Sequence, residues 1–394
     1  MSWKLKGGTG LAARAVRATA QVGADAVRHS LGRALPLTPE ALARPQVVST
    51  LIGTPLRDVR LTGDRFDSSN CQNFLIDIED AEGAGRRLYA KLPARELAPR
   101  VFANTLGYWH LECAFCARVA DRVPVRVPRV EAVVEQGSRF VLLLEDLTAV
   151  PGTRLFVNAD MAAGTTVDHA LLCVTALARL HAGFQGTGSW ERDRLLPPAL
   201  HPYLSSASGP AMRTLNLAAV RQARRKAAEM VPVGVADTYE RALERWPALV
   251  AHWYTGPLTL VHGDSHLANS FQYETDEGPA VGWLDFQGVH WSKGIRDVAY
   301  FLIHSLDADL LAAHEAELVD HYISEMGRLG VELDPERTRD DYRGFSFQAL
   351  MVGIVAVGLG GFTERESTVA CMLRREVAAV ERLDFAGWLR RTTD

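Results

Sequence analysis

The predicted secondary structure changes character once along the chain, near residue 145, and this change constrains the fold most strongly. Before it, the sequence predicts five short strands: residues 59–61, 74–78, 87–92, 129–135 and 139–144. One amphipathic helix is predicted between the third and fourth strands, over residues 104–122. After residue 160 the pattern is mostly helical. We therefore expect an α+β chain in which a small strand-rich part precedes a larger helical part.

The two ends of this pattern suggest domain boundaries. Thr38, Pro39 and Glu40 form a helix-start signal, and the helix that follows is expected to reach Leu51. The helical part is interrupted over residues 258–297, where two short apolar strands and several polar motifs are predicted. The sequence thus divides into a helical extension at residues 1–45, a β-rich lobe at 46–147 and a mainly helical lobe at 148–394.

Composition excludes some classes of function. The chain has 394 residues with 43 Lys and Arg against 47 Asp and Glu, a net charge of −4, so no basic excess marks it as a nucleic-acid-binding protein. Its five cysteines show no framework spacing, which predicts reduced thiols and a cytoplasmic location. Only five residues are Lys, so the one predicted to lie on a strand, Lys91, is of interest.

One uncharged segment resembles a membrane span in length. Residues 344–363 carry no charge, but they include five glycines, and the continuous apolar run is shorter than a span requires. We predict a buried helix here and no stable membrane insertion.

The most informative motif lies within the interruption of the helical part. An apolar strand leads into His262, Gly263 and Asp264, and Asn269 follows five residues later. A second short strand ends at Asp285. Transfer of a phosphoryl group needs one carboxylate to reach the proton of the attacking hydroxyl, and oxygen ligands to hold Mg²⁺ against the phosphates. The spacing of Asp264, Asn269 and Asp285 meets these needs.

These residues also carry a family resemblance. Residues 262–269, with the pattern His-Gly-Asp-x4-Asn, and residues 284–286, Leu-Asp-Phe, resemble the catalytic loop and metal-binding aspartate of the aminoglycoside phosphotransferase/choline kinase superfamily. The ecdysteroid kinase-like branch is the nearest resemblance. Weaker matches occur in the family's order, at residues 143–147, 177–182 and 296–302. The resemblance implies a bilobal, protein-kinase-like fold.

It also implies an activity and a first set of site residues. The expected reaction is ATP-dependent transfer of the γ-phosphoryl group to a hydroxyl of a small-molecule alcohol, with GTP as the alternative nucleotide and Mg²⁺ as the metal. Asp264 resembles the catalytic base, and Asn269 and Asp285 resemble the magnesium ligands. Lys91 resembles the phosphate-anchoring lysine, and Glu112 its ion-pair partner on a helix.

Further nucleotide contacts follow from the same resemblance. The segment around Glu145 and Leu147 resembles the interlobe hinge that holds adenine through backbone groups. The turn formed by Ser68, Ser69 and Asn70 lies where the family has its phosphate-covering loop, although this loop contains only one glycine, Gly63, before Asn70.

The acceptor site is less defined. His266, Gln287, His290 and Trp291 lie close to the motif residues and either face the acceptor or form an ordinary surface loop. Aminoglycoside and choline sites in the family are acid-rich because their ligands are cations. The helical part of this chain instead holds four tryptophans and an apolar stretch, which favours a hydrophobic alcohol. The four are Trp190, Trp246, Trp253 and Trp291.

Two other classes of function compete with this interpretation. His262, Asp264 and His266 alternate like the ligands of a binuclear metal hydrolase, but the sequence has no further His and Asp clusters of the kind such enzymes need. A nucleotide-binding pseudokinase or regulatory module, without transfer activity, is the main alternative. Its usual sign is loss of the lysine, base or metal residues, and all of these are present.

Overall fold

The computed structural model describes residues 3–65, 71–205, 208–360 and 366–393. The chain forms two compact units, which we describe one at a time. The first comprises Thr9–Val123 and Val127–Thr153, and the second is formed mainly by Arg154–Asp394. The boundaries that the sequence suggests at residues 45 and 147 stay a prediction.

In its described residues, the first unit combines one antiparallel sheet with flanking helices. Its elements are, in chain order, α1 (Trp3–Ser30, which belongs to this unit from Thr9 onward), α2 (Pro39–Leu42), α3 (Pro45–Ile52), β1 (Leu56–Arg65), β2 (Cys71–Asp80), β3 (Gly85–Pro93), α4 (Leu97–Leu106), α5 (Tyr108–Arg118), β4 (Val130–Gln136) and β5 (Arg139–Glu145). The strand order is β1-β2-β3-β5-β4. Each strand predicted from the sequence overlaps an observed one.

Alternation along β3 decides which side chains face which helices. Ala90 and Leu92 pack with residues of α2 and α3 in one apolar cluster. Lys91 lies between them in sequence, so its side chain points to the opposite face of the sheet. That face is covered by α5, whose Trp109 and Cys113 pack against Leu142 and its neighbours. The sheet is thus buried on both sides, and Lys91 is directed at α5.

Two predicted helices are each divided in the structure. The helix expected over residues 104–122 is two helices, α4 and α5, because Gly107 between them adopts a left-handed backbone with φ of 80°. The helix expected to run from Thr38 to Leu51 is also two, because Pro45 begins a new helix and cannot continue the old one. Thr38 caps the first of these by accepting a hydrogen bond from the backbone N–H of Ala41.

The second unit is mainly helical in the part that the structure describes. Its elements are β6 (Arg154–Leu155), α6 (Asn158–Ala163), α7 (Val167–Phe184), α8 (Ser189–Leu195), α9 (Ser208–Lys226), α10 (Val233–Glu244), α11 (Trp246–Tyr254), β7 (Thr259–Val261), β8 (Ser270–Thr275), β9 (Gly278–Trp283), β10 (His290–Ser292), α12 (Ile295–Ser305), α13 (Ala308–Arg328), α14 (Pro335–Leu359), α15 (Glu366–Arg382) and α16 (Phe385–Thr393). The short strands form two antiparallel sheets, β6-β8-β9 and β10-β7. The sequence predicted only two of the four strands between residues 258 and 297.

The long apolar helix α14 lies inside the second unit and packs against α9, α12 and α15. Within the described chain it is the helix long and apolar enough to cross a membrane, yet 67% of its apolar window is buried in protein. Its glycines serve close packing, since a Cβ on Gly358 would lie 2.1 Å from the carbonyl oxygen of Ala219. As far as Leu359, the predicted buried helix is confirmed.

The N-terminal helix α1 is anchored to the first unit through a buried carboxylate. Asp25 is 1% exposed and accepts hydrogen bonds from the backbone N–H and the hydroxyl of Ser138, at the turn between β4 and β5. Arg28 donates to the other carboxylate oxygen at 2.6 Å. Arg14 donates to the carbonyl of Thr105 at the end of α4. The extension is therefore part of the packing of this unit.

We predict that Asp25→Ala lowers the free energy of unfolding by about 2–3 kcal/mol, because the buried donors of Ser138 lose their acceptor. Urea unfolding followed by circular dichroism measures this difference. Arg17→Ala, on the exposed side of the same helix, is the matched control and should change stability by less than about 0.5 kcal/mol. Equal effects of the two substitutions would show that the carboxylate does not anchor the helix.

Candidate functional site

The loop after β7 is held by a buried carboxylate. Asp297, at the start of α12, accepts hydrogen bonds from the backbone N–H groups of His262 at 2.5 Å and Gly263 at 3.1 Å. Its oxygens also accept from Arg296 and His181. Burial alone would raise the pKa of Asp297, but the hydrogen bond from His181 and the charge of Arg296 outweigh it and hold the pKa well below its usual value. The loop backbone is therefore fixed by an ionised side chain.

Two loops meet at a pair of glycines beside this carboxylate. Gly263 has φ of 84°, and a Cβ placed there would lie 1.8 Å from the carbonyl oxygen of Gly288. Both the backbone conformation and the close approach require glycine. The segment after Asp285 is thus packed directly against the loop that carries Asp264.

His262 connects the loop that carries Asp264 to the segment that carries Asp285. It is fully buried, its Nε2 donates to the carbonyl of Leu284 at 2.7 Å, and its Nδ1 accepts from the backbone N–H of Asp264 at 3.2 Å. Burial lowers the pKa of His262, so the ring is neutral at neutral pH. Because both ring nitrogens are engaged, His262 is not placed to ligate a metal as the binuclear hydrolase hypothesis requires.

The carboxylate of Asp264 is partly exposed and held on both oxygens. Tyr300 donates its hydroxyl to Oδ1 at 2.7 Å, while Asn269 at 3.2 Å and Gln287 at 3.4 Å donate to Oδ2. Nε2 of His266 lies 3.8 Å from Oδ1. Burial alone would raise the pKa of Asp264, but the charge of His266 and the hydrogen bond from Tyr300 outweigh it and lower the pKa. The carboxylate is therefore ionised at neutral pH and can accept a proton.

Strand pairing brings Asn269 and Asp285 together. Ser270 pairs with Trp283 across β8 and β9, and the N–H of Leu284 donates to the carbonyl of Asn269 at 2.8 Å. Asp285 follows at once, with φ of 57°, a left-handed conformation that is uncommon for residues other than glycine and that concentrates at functional sites. The structure thus gathers Asp264, Asn269 and Asp285 in one place.

The donor set fits Mg²⁺. Asn269 uses its amide nitrogen on Asp264, donating to the carbonyl at 2.9 Å and to the carboxylate, so its amide oxygen is directed away from that residue. An amide oxygen and a carboxylate oxygen are hard ligands, and Mg²⁺ bound with phosphates needs few protein ligands. Among the described residues, no group of three or more His, Cys, Asp or Glu is arranged to hold a metal ion.

The first unit holds the predicted lysine–glutamate pair. Nζ of Lys91 on β3 lies 2.9 Å and 2.7 Å from the two carboxylate oxygens of Glu112 on α5. Both side chains are at least nine-tenths buried. A buried ion pair of this kind adds little net stability, because the cost of removing both charges from water offsets their attraction.

The structure describes some of the other residues that were predicted to bind the nucleotide. Glu145 ends β5, and its carboxylate accepts from the backbone N–H of Arg129 at 3.1 Å. Leu147 is buried just after it. Ser68, Ser69 and Asn70 lie outside the described residues.

The predicted acceptor residues fall into two groups. His266 and Gln287 lie beside Asp264 and are partly exposed. His290 and Trp291 are instead buried on β10, where His290 donates Nδ1–H to the carbonyl of Gly288 and Trp291 donates its ring N–H to the carbonyl of Arg192. These two side chains therefore pack in the interior, and they do not form the surface loop that was the alternative expectation.

The tryptophans also correct an expectation. Trp246, Trp253 and Trp291 are 6% exposed or less, so they belong to the core, and only Trp190 among the four is exposed, at 76%. The preference for a hydrophobic alcohol rested on these residues and on the apolar stretch, and it loses the support of the three buried tryptophans.

The sequence did not predict the side chains that hold Asp264 and its loop in place. Tyr300 and Arg296 were noted only as parts of a family segment, and their contacts with Asp264 and Asp297 were not anticipated. A signal was present, because residues three and four apart on a helix share a face. The spacing from Asp297 to Tyr300 places both side chains on the side of α12 that meets the loop.

Comparisons with known proteins are consistent with this geometry. The sequence profile of the ecdysteroid kinase-like family matches residues 118–333. No sequence among curated proteins matches the chain. The structure is similar to an ethanolamine kinase of Plasmodium vivax, with a TM-score of 0.51 and 13% identity over 82% of this chain and 81% of that one. This likeness shows the fold and confirms the predicted bilobal, protein-kinase-like architecture.

Two further solved structures are less similar. A choline kinase of Cryptosporidium parvum has a TM-score of 0.43 and 12% identity, over 84% of this chain and 88% of that one. An aminoglycoside-3'-phosphotransferase of type VIII has a TM-score of 0.41 and 18% identity, over 73% of this chain and 93% of that one.

Buried histidines near the site predict a loss of stability in mild acid. Burial lowers the pKa of His201 to about 4 and that of His304 to about 3. In the unfolded chain a histidine takes up its proton near pH 6.5. Between these values the unfolded state binds more protons, so stability falls as the pH falls. We expect each of the two histidines to contribute about 2 kcal/mol less to the free energy of unfolding at pH 5 than at pH 7.

Urea unfolding followed by tryptophan fluorescence at pH 7 and pH 5 tests this prediction. In His201→Gln the difference in the free energy of unfolding between pH 7 and pH 5 should be about 2 kcal/mol smaller than in the unmodified chain. His314→Gln, at a half-exposed position, is the control and should leave this difference in stability unchanged. A pH dependence that is the same in all three proteins would contradict the assignment.

Proposed function

The chain belongs to the ecdysteroid kinase-like family, and we propose that it is a magnesium-dependent kinase that transfers the γ-phosphoryl group of ATP to a hydroxyl of a small-molecule alcohol. Family and fold support a kinase-like phosphotransferase in general. The observation that carries the finer proposal is the convergence of Asp264, Asn269 and Asp285. These provide a base and two hard ligands, the groups that in-line phosphoryl transfer needs.

In the proposed reaction Asp264 accepts the proton of the acceptor hydroxyl. The acceptor oxygen forms a bond to the γ-phosphorus while the bond from that phosphorus to the bridging oxygen of ADP breaks. The products are the phosphorylated alcohol and ADP, and the proton stays on Asp264 until solvent removes it. The lowered pKa of Asp264 supports this role, because the carboxylate is ionised when the acceptor binds.

Asn269 and Asp285 would hold Mg²⁺. Bound there, Mg²⁺ would supply positive charge that neutralises the charge developing on the transferred phosphoryl group. Asp285 lies two residues after the end of β9, and Asn269 is held by the hydrogen bonds from its amide nitrogen to Asp264. The two residues would therefore be oriented before the nucleotide arrives.

The other nucleotide contacts are assigned to the first unit. We propose that Lys91 binds the α- and β-phosphates and that Glu112 orients it. Ser68, Ser69 and Asn70 are assigned to the loop that covers the phosphates. Backbone groups near Glu145 and Leu147 are assigned to adenine. GTP remains the alternative nucleotide.

For the acceptor, His266 and Gln287 are the proposed contacts, because they are partly exposed beside the base. The similar solved structures include kinases named for ethanolamine and choline, so amino alcohols belong in any test. The odd number of cysteines, five, and their lack of framework spacing support the proposal of a reducing, cytoplasmic location.

The test is an acceptor screen with ATP labelled at the γ-phosphate, using Asp285→Ala as the blank. With the acceptor found, Asp264→Asn should lower kcat by about 10²–10⁴-fold, because proton transfer to a positioned base is lost. Binding of Mg²⁺ and ATP, measured by calorimetry, should persist. Asp276→Asn, on the exposed turn between β8 and β9, is the matched control and should retain full activity.

Two results would count against the proposal. Retained turnover in Asp264→Asn would remove the base assignment. Binding of Mg²⁺ and ATP by the unmodified chain, with no transfer to any acceptor, would instead favour a pseudokinase.

A further inference from the structure

The side chains that donate hydrogen bonds to the Asp264 carboxylate differ in how deeply they are buried. Asn269 and Gln287 reach Oδ2 at 3.2 Å and 3.4 Å, and both are partly exposed. In the proposed function Asn269 binds Mg²⁺ and Gln287 contacts the acceptor. Both hydrogen bonds to Asp264 are therefore expected to change when substrates bind. Tyr300 reaches Oδ1 at 2.7 Å and is 3% exposed. Of these three hydrogen-bond donors, Tyr300 is the one that is buried.

The ring of Tyr300 is fixed on both sides by neighbours on its own helix. The guanidinium carbon of Arg296, one turn earlier on α12, lies 4.6 Å from the ring centroid. The imidazole of His304, one turn later, lies 4.1 Å away, centroid to centroid. These positions, four residues before and four after, are the ones that stack on a helix.

Each neighbour is itself held by other elements. Arg296 donates to Asp297 at 2.9 Å and to the side-chain oxygen of Gln348 on α14 at 3.0 Å. His304 lies 2.8 Å from a carboxyl oxygen of Glu376 on α15. The hydroxyl of Tyr300 is therefore placed by three helices and has little freedom to follow a rotating carboxylate.

We propose that Tyr300 is a positioning residue that sets the orientation of the Asp264 carboxylate for proton abstraction. This inference rests on the proposed role of Asp264 as the base. With Oδ1 fixed by the tyrosine, the carboxylate plane stays in place when Asn269 and Gln287 engage ligands. Displacements of about 1 Å at a reacting group cost about 10²-fold in rate, so a residue that prevents this rotation affects turnover without touching substrate.

Tyr300→Phe isolates the hydroxyl, because phenylalanine keeps the ring between Arg296 and His304. A matched control exists on α14, where Tyr342 is 2% exposed and donates its hydroxyl to Glu315 at 2.7 Å. Tyr342→Phe thus removes an equally buried hydroxyl bonded to a carboxylate away from the site. Thermal unfolding of both variants measures the structural cost of each loss.

Turnover against ATP concentration, with the acceptor identified by the screen, provides the first readout. For Tyr300→Phe we expect kcat to fall by about 10- to 100-fold while KM for ATP changes by less than about twofold. For Tyr342→Phe both values should stay within about twofold. Equal kcat in the two variants would overturn the proposal, since both lose the same kind of hydrogen bond.

A crystal structure of Tyr300→Phe provides a second readout that needs no acceptor. The proposal expects the Asp264 carboxylate to be rotated or to occupy two orientations, and an unchanged orientation would overturn it. If the unmodified chain transfers phosphate to no acceptor, the proposed function fails, and this structure still decides whether Tyr300 orients the carboxylate.

Discussion

The site depends on one buried carboxylate, that of Asp297. A charge in the interior is costly unless hydrogen bonds compensate it, and here two backbone N–H groups, a guanidinium and an imidazole do so. Two of these donors belong to the loop that carries Asp264. The interactions that keep the charge inside the protein are therefore the same ones that fix the loop.

Other parts of the site follow from this anchor. With His262 and Gly263 fixed, the ring of His262 reaches Leu284 and sets the distance between the two motif segments. Helix α12 then contributes twice, through Asp297 to the loop backbone and through Tyr300 to the side chain of Asp264. One helix thus orients both the main chain and the reacting carboxylate, which suits a reaction that relies on position and charge more than on covalent chemistry.

Local patterns in the sequence predicted local structure well. Alternation predicted the strands of the first unit. It also explains why Lys91 points to the face covered by α5, because strand geometry leaves a side chain only two directions. The breaks at Pro45 and Gly107 also have local signals, although the apolar periodicity continues across both and masks them. The motif residues Asp264, Asn269 and Asp285 were identified by spacing, and pairing of β8 with β9 brings the last two together.

Burial and long-range contacts were harder to predict. Composition does not distinguish an exposed tryptophan from a buried one, so Trp190 and Trp253 seemed equivalent although only Trp190 is exposed. The same applies to His290, which is close to Asp285 in sequence but is directed into the interior by the three-residue strand β10. Such strands are too short for alternation to reveal, and they form because a partner strand, here β7, is present.

The most direct test of the central claim is a crystal structure with Mg²⁺ and a non-hydrolysable ATP analogue. We predict that the ion lies about 2.1 Å from the amide oxygen of Asn269 and from a carboxylate oxygen of Asp285, with the γ-phosphate facing Asp264. A metal ion ligated by other residues, or a nucleotide bound away from these three side chains, would contradict it.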